Sequence, residues 1–306
     1  MQVRLGGALV VIVCLAGCGP AGGDDDTVEA LPVETNTGPV LTLTGFLGPE
    51  AVRYDANQDV YFVSNFNGDG GDRDGNGYLS RVRAQDGVTE QARFMVGTEE
   101  APLHAPRGMM IVGDTLWVAD IDGIHGFSRV EGSHLAFVDF SAFEPGFLND
   151  IAATPNGTLY VTDTGRSRLY QVENGAATIA LEDERLGPPN GITWSDEGRF
   201  LLAPWEGGQG IVRAWAPHSE AVLEVTESVG DRLDGIEELD ERILVAVQSD
   251  SSIHIIEAGR GVGRIRVDGS PADIAIDTRR SRVAVPFISL NRVDVWDVPG
   301  VDSGGG

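Results

Sequence analysis

Lysine is absent from this 306-residue chain, and cysteine occurs only as Cys14 and Cys18, both close to the N-terminus. All 22 basic residues are therefore arginine, outnumbered by 47 acidic ones, and the formal net charge of -25 would repel a phosphate backbone. That balance speaks against nucleic acid as a partner. Also missing is any helical pattern of about 10 to 15 residues between the apolar stretches, which disfavours a parallel α/β fold. The apolar run at 8–15 is too short to cross a bilayer core of about 30 Å. No Gly-x-Ser-x-Gly elbow, His-Glu-x-x-His helix, phosphate-binding glycine loop or dinucleotide fingerprint occurs, so serine hydrolases, zinc proteases and nucleotide enzymes find no support.

What is present at the N-terminus is Arg4, the apolar run, and then Leu15-Ala16-Gly17-Cys18, the pattern of a lipobox. Small residues before the cysteine admit the extended backbone to a processing enzyme, and the thiol of Cys18 is the atom to be acylated. Two or three acyl chains would give stable anchoring. An ordinary signal peptide cleaved elsewhere is the alternative. The reading predicts a lipoprotein signal peptide at 1–18, a flexible acidic tether at 19–38, a folded region at 39–300 and a flexible tail at 301–306. Cell-envelope placement follows, in the outer membrane for a Gram-negative source, because Gly19 stands where an inner-membrane retention signal would carry Asp. The mature chain would hold no thiol for a disulfide or a metal site.

A repeat of about 40 residues runs through the folded region. Its six copies begin at Gly48-Pro49-Glu50-Ala51-Val52, Ala105-Pro106-Arg107-Gly108-Met109, Phe147-Leu148-Asn149-Asp150-Ile151, Pro188-Pro189-Asn190-Gly191-Ile192, Arg232-Leu233-Asp234-Gly235-Ile236 and Ser270-Pro271-Ala272-Asp273-Ile274. Each copy continues with a short apolar strand, a tight turn such as Asp55-Ala56-Asn57-Gln58 or Thr154-Pro155-Asn156-Gly157, and a second strand such as Val60-Tyr61-Phe62-Val63. A third strand and a less regular fourth complete the unit. Four strands per repeat and six repeats predict an all-β, six-bladed propeller. The last repeat has no room for a fourth strand, so Val40-Leu41-Thr42-Leu43-Thr44 is expected to close it, removing two open sheet edges.

In a propeller the first strand of each blade lines the central channel, so one repeat position converges on the axis from six directions. Here that position reads Glu50, Arg107, Asn149, Asn190, Asp234 and Ala272. Glu50, Asn149, Asn190 and Asp234 together offer two carboxylates and two carboxamides, a donor set suited to a hard divalent cation such as Ca2+. No His or Cys shares the ring, which argues against zinc. Scattered polar groups bound to channel water are the competing reading. The turns after the second strands lie on the same face and carry Asn65, Asp120, Asp163, Trp205 and Gln248; Trp205 would stack on a ligand or pack against the next blade. A second feature, Asp72, Asp74 and Asn76, matches the opening of an EF-hand calcium loop, but the twelfth position is Arg83 and not Glu. A glycine-rich hairpin with solvated acids is the alternative.

The repeats resemble the family of senescence marker protein, gluconolactonase and regucalcin-like lactonases over roughly 48–298. The resemblance implies that Glu50, the Asn190 of Pro-Asn-Gly and the Asp234 of Asp-Gly bind the metal, with Asn149 near substrate and metal. It departs at Phe147, where the family has a substrate-contacting Arg, and at Ile151, where a small residue is usual. A lactonase of this kind would use the cation to polarise an ester carbonyl and Asp234 to take a proton from the attacking water. His104 is the reserve base, against a surface histidine with no role. Arg107 would neutralise an anionic substrate or the oxyanion, or else pair structurally with Glu50 or Asp234. The expected function is a metal-dependent hydrolase acting on a small lactone or ester outside the cytoplasm. The alternatives are a non-catalytic, lipid-anchored propeller that binds a ligand or partner protein around a structural metal, and, last, a strictosidine-synthase-like or paraoxonase-like propeller with other catalytic residues.

Overall fold

The turn residues explain the hairpins. Asp55 accepts the backbone N–H groups of Asn57 and Gln58, and Asp277 does the same for Arg279 and Arg280, so each carboxylate closes the turn between the first and second strands of its blade. In a computed structural model that describes residues 33–35 and 38–300, these hairpins build six antiparallel sheets. Blade one is Pro49–Asp55, Val60–Asn65, Tyr78–Arg83 and Thr89–Val96; blade two is Met109–Val112, Thr115–Ala119, Gly123–Ser128 and His134–Asp139. Blade three is Leu148–Ala153, Leu159–Asp163, Arg168–Glu173 and Ala176–Glu182; blade four is Pro189–Trp194, Phe200–Pro204, Arg213–Trp215 and Val222–Glu224. Blade five is Leu233–Leu239, Arg242–Val247, Ser252–Glu257 and Arg260–Arg266, and blade six contributes Ala275–Asp277, Arg282–Phe287 and Arg292–Asp297. Among the described residues the only helical pieces are four three-residue 3-10 turns.

The fourth strand of blade six is Leu41–Thr44, antiparallel to Arg292–Asp297 with Leu43 opposite Val293, as the incomplete last repeat predicts. Leu43 is buried in the apolar layer between blades six and one. Each of the six blade interfaces holds one such layer. A large side chain buried there contributes about 1.5–3 kcal/mol, so stability is spread around the ring without disulfides. Arginine ties the rim: Arg129 of blade two grips both oxygens of Asp55 at 2.9 and 2.8 Å, and Arg280 of blade six grips Asp59 at 2.8 and 2.6 Å.

Val33–Thr35 adds a fifth strand to blade five, parallel to Gly263, Arg264 and Ile265. It lies inside the span expected to be tether. Backbone pairing over three residues leaves no periodicity for a sequence reading to find. The signal peptide with Cys18, most of the tether and the tail at 301–306 lie outside the described residues.

Two glycines show how closely the first strands approach at the axis. A Cβ on Gly108 would fall 2.1 Å from Asp150 Oδ1, and one on Gly191 would fall 2.3 Å from the Asp234 carbonyl oxygen. Asp150 fills the room so left, and its Oδ2 accepts Ile192 N–H of the next blade at 2.9 Å. The glycines following Arg107 and Asn190 are thus packing requirements of the inner ring.

Candidate metal centre and its cavity

The ring side chains owe their aim to irregular pairing. Between the first and second strands the register shifts between Pro49 and Val52, Leu148 and Ile151, Pro189 and Gly191, and Leu233 and Ile236. These four shifts bracket Glu50, Asn149, Asn190 and Asp234. A bulge frees one residue from the ladder and redirects its side chain, here towards the axis. All four are at least nine-tenths buried.

Hydrogen bonding then fixes which atom of each faces inward. Thr164 gives its only hydroxyl hydrogen to the Pro189 carbonyl at 2.8 Å, so it can only accept from Asn149 Nδ2, at 3.2 Å. Asn190 Nδ2 donates to the Leu233 carbonyl, and Gln248 Nε2 donates to Asp234 Oδ2 at 2.8 Å. Left over are Glu50 Oε2, Asn149 Oδ1, Asn190 Oδ1 and Asp234 Oδ1. Six buried side-chain oxygens among the described residues lack a partner, and these are four of them. Each such oxygen costs about 1–3 kcal/mol unless something binds it.

The carboxyls register the strain of crowding. Burial first, then repulsion from Asp234, pushes Glu50 well above the usual carboxylate range. Burial and Asp150 push Asp234 up to about 7, against the amides of Gln248 and Asn190. Below the ring, Asp150 rises to about 7 and Asp273 well above its ordinary value, both through burial, with Arg53 opposing. A divalent cation on the four oxygens would reverse this penalty for Glu50 and Asp234. Among the described residues no group of three or more His, Cys, Asp and Glu is placed to hold a metal; the ring combines two carboxylates with two carboxamides instead.

Above the oxygens opens a cavity of about 400 Å³, walled by Phe66, Phe147, Thr164, Trp205, Gln248 and Ile288, with Gly70 reaching over from the blade-one loop. In the repeat alone, Trp205 and Gln248 align with Asn65, Asp120 and Asp163. Strand pairing corrects the register: Pro49 faces Asn65, Leu148 faces Asp163 and Pro189 faces Pro204, so the residues equivalent to Trp205 are Phe66 and Thr164. One step along a strand turns the side chain to the other face. Asn65, Asp120 and Asp163 instead accept backbone N–H groups of the loops entering their own blades, from Leu47, from His104 and Ala105, and from Gly146 and Phe147.

The structure also places His104, Arg107 and the loop of Asp72, Asp74 and Asn76. His104 does not line the cavity; its Nδ1 accepts Gly75 N–H at 3.0 Å, in the neighbouring loop. Arg107 is 2 % exposed and forms no ion pair with Glu50 or Asp234; its guanidinium lies 4.1 Å from the Phe147 ring centroid and donates to the Gly70 carbonyl. Both residues that cover it belong to the cavity wall, so Arg107 supports that wall from behind. In the second calcium loop, Asp72 accepts Asp69 N–H, Asp74 accepts both the N–H and the amide of Asn76, and the two acids are exposed. The acids thus close turns within the loop, while Arg73 reaches Asp122 of blade two.

No protein-family model matches the chain, and no curated protein matches it in sequence. Solved structures match its fold. Regucalcin from Agrobacterium tumefaciens, described as a calcium-binding protein, superposes with a TM-score of 0.63 at 18 % identity, over 86 % of this chain and 95 % of that one. A gluconolactonase from Xanthomonas campestris gives 0.65 at 15 % identity over 83 % and 89 %, and a putative gluconolactonase gives 0.59 at 12 % over 84 % and 93 %. The chain shares the regucalcin and gluconolactonase fold. At these identities the likeness is one of architecture, and the chemistry has to be argued from the site.

Proposed function

We propose that this chain is a divalent-cation-dependent hydrolase of the lactonase type, with calcium as the cation and a small lactone or ester as substrate. The observation that carries the reading is the set of four buried, unpaired oxygens at the floor of an open cavity. The similarity to a calcium-binding regucalcin and to gluconolactonases supports it. A cation held by Glu50, Asn149, Asn190 and Asp234 would supply Lewis acidity to the ester carbonyl. Asp234 would divide its labour: the unpaired Oδ1 would face the cation, and Oδ2, oriented by Gln248, would be left to accept a proton from the attacking water. The acyl carbon–oxygen bond breaks as the water oxygen adds, and that proton is passed on to the departing alkoxide. With His104 outside the cavity, Asp234 stands as the base. Hydrolysis by the full chain with calcium and after chelation tests the reading, beside the Glu50→Gln/Asp234→Asn variant.

Thr164→Val offers a finer check, since it keeps the shape but leaves Asn149 Nδ2 without its acceptor. Calcium affinity is expected to fall about 10-fold, as for other residues that orient a ligand; a calcium titration showing parental affinity would remove Thr164 from the account.

A binding propeller with a structural cation is the second reading. It is favoured by Phe147, where the lactonases that the sequence resembles place an arginine, and by the shielding of Arg107. A protein that binds calcium but turns over no lactone would establish it. We also place the chain in the cell envelope, held by lipid on Cys18, on the strength of Leu15-Ala16-Gly17-Cys18. Incorporation of labelled palmitate that Cys18→Ser abolishes is the expected result, and labelling that survives would end this assignment.

A further inference from the structure

We infer that the cavity takes a lactone or ester bearing an apolar or aromatic group, and discriminates against polyhydroxylated lactones; the inference rests on the hydrolase reading of the same site. Four of the six side chains walling the cavity above the ring are Phe66, Phe147, Trp205 and Ile288. Most polar groups among the rest are already engaged, which leaves Gln248 Oε1 and the Trp205 indole N–H as the main polar atoms of the wall. Thr164 donates to Pro189 and accepts from Asn149, Gln248 Nε2 is held by Asp234, and the Gly70 carbonyl accepts from Arg107. The ring below offers unpaired oxygens, and those belong to the cation. A sugar-like substrate would bury several hydroxyls with few partners to meet them, and each one left unpaired weakens binding. An alkyl or aryl group meets no such penalty and gains the contact.

The apolar surface continues at the mouth. Phe147 is 41 % exposed and Ile288 is 38 % exposed, although both line the cavity. Leu290, in the same 3-10 turn as Ile288, and Leu47, whose neighbour Gly48 donates to Asn291 Oδ1 beside that turn, are exposed as well. Single exposed apolar residues are ordinary, but Phe147 and Ile288 are exposed and line a cavity as well, which marks its mouth as a binding surface. The one guanidinium nearby would help an anionic substrate, yet it is stacked behind Phe147, where it stiffens the apolar wall.

The test uses the full chain reconstituted in lipid nanodiscs and loaded with calcium. Specificity constants are measured for dihydrocoumarin and for glucono-1,5-lactone, and binding of dihydroquinolinone, the unreactive amide analogue of dihydrocoumarin, is followed by tryptophan fluorescence, with Trp205→Phe identifying the signal. We expect kcat/KM for dihydrocoumarin to exceed that for the sugar lactone by about 100-fold or more, the discrimination that unpaired hydroxyls produce. Phe147→Ser should narrow that ratio about 10-fold through loss of the aromatic wall. Equal or better turnover of glucono-1,5-lactone overturns the inference and leaves the hydrolase reading standing. Turnover of neither lactone, with the amide analogue still bound at the Trp205 wall, overturns the hydrolase reading and upholds an apolar ligand. Neither turnover nor binding overturns both.

Discussion

The Glu50→Gln/Asp234→Asn variant is expected to lose the calcium-dependent rise in melting temperature shown by the parent, and with it lactone hydrolysis. A ligand that binds only the folded state at about 100 times its Kd stabilises by about 2.7 kcal/mol, and a domain of this size moves about 2–4 °C for each kcal/mol. A rise of about 5–10 °C in the parent, absent from the variant, is therefore the signal to look for. Plain destabilisation would also lower a melting temperature, so the metal-free comparison decides the cause. Without a cation the parent buries both carboxyls, and burial raises both pKa values, helped by repulsion from Asp234 at Glu50 and from Asp150 at Asp234; the neutral amides remove both penalties. At pH 8 with chelator the variant should accordingly melt at or above the parent. A chelated variant far below the parent would mean that the two side chains hold the fold by other means, and a parent indifferent to calcium would sink the metal centre altogether. Hydrolysis at saturating substrate should fall by about 100-fold or more, the scale of losing charge stabilisation at the reacting carbonyl.

How much of this could be read from the residues varies by level. The blade count, the closing strand and the four inward oxygens were legible because a repeat superimposes six independent copies of one pattern, and an odd residue at a fixed position is visible against its five counterparts. Val33–Thr35 has no counterpart in that pattern and is only three residues long, so nothing announced it. The cavity wall was half legible. Trp205 and Gln248 were found, but Phe66 and Thr164 were hidden by an alignment one residue early, which favoured the more conspicuous Asn65 and Asp163. Aligning on the proline or leucine before each ring residue would have set the register, since Pro49, Leu148, Pro189 and Leu233 each sit opposite the last residue of their second strand. His104 and Arg107 sit away from the cavity lining for a reason the repeat does not carry. Their positions in the repeat were read correctly, but the blade-one loop at 66–77 lies over blade two, where Gly70 and Gly75 take up the two side chains. An insertion unique to one blade cannot be foreseen from the other five.

The second large effect is a pH dependence that reverses with calcium. In the metal-free protein, Asp150 and Asp234 sit at about 7, while Glu50 and Asp273 stand well above their ordinary values. In the unfolded chain all four return to about 4. A carboxyl whose pKa is raised by folding binds its proton more tightly in the native state, so its stabilising contribution is complete below pH about 4 and is lost as the pH climbs through about 7. The chelated protein should thus melt at a lower temperature at pH 8 than at pH 5. Carboxylates that folding depresses, such as Asp55 beside Gln58 and Arg129 or Asp59 beside Arg280, lose their contribution only under more acidic conditions and leave this window clear. His134 acts in the opposite sense, since burial lowers its pKa, but it is one group against four. Calcium binds the ionised ring, so its stabilisation grows across the same interval, and the gap between loaded and chelated melting temperatures should widen from pH 5 to pH 8. General repulsion from a net charge of -25 would also weaken the protein at high pH, and the double variant separates the two causes. It changes only two of the many surface and buried acids, so repulsion across the whole molecule persists in it, whereas the part of the slope due to Glu50 and Asp234 disappears. A chelated parent whose melting temperature stays level or rises between pH 5 and pH 8 would show that these carboxyls do not bear the burden their burial assigns them.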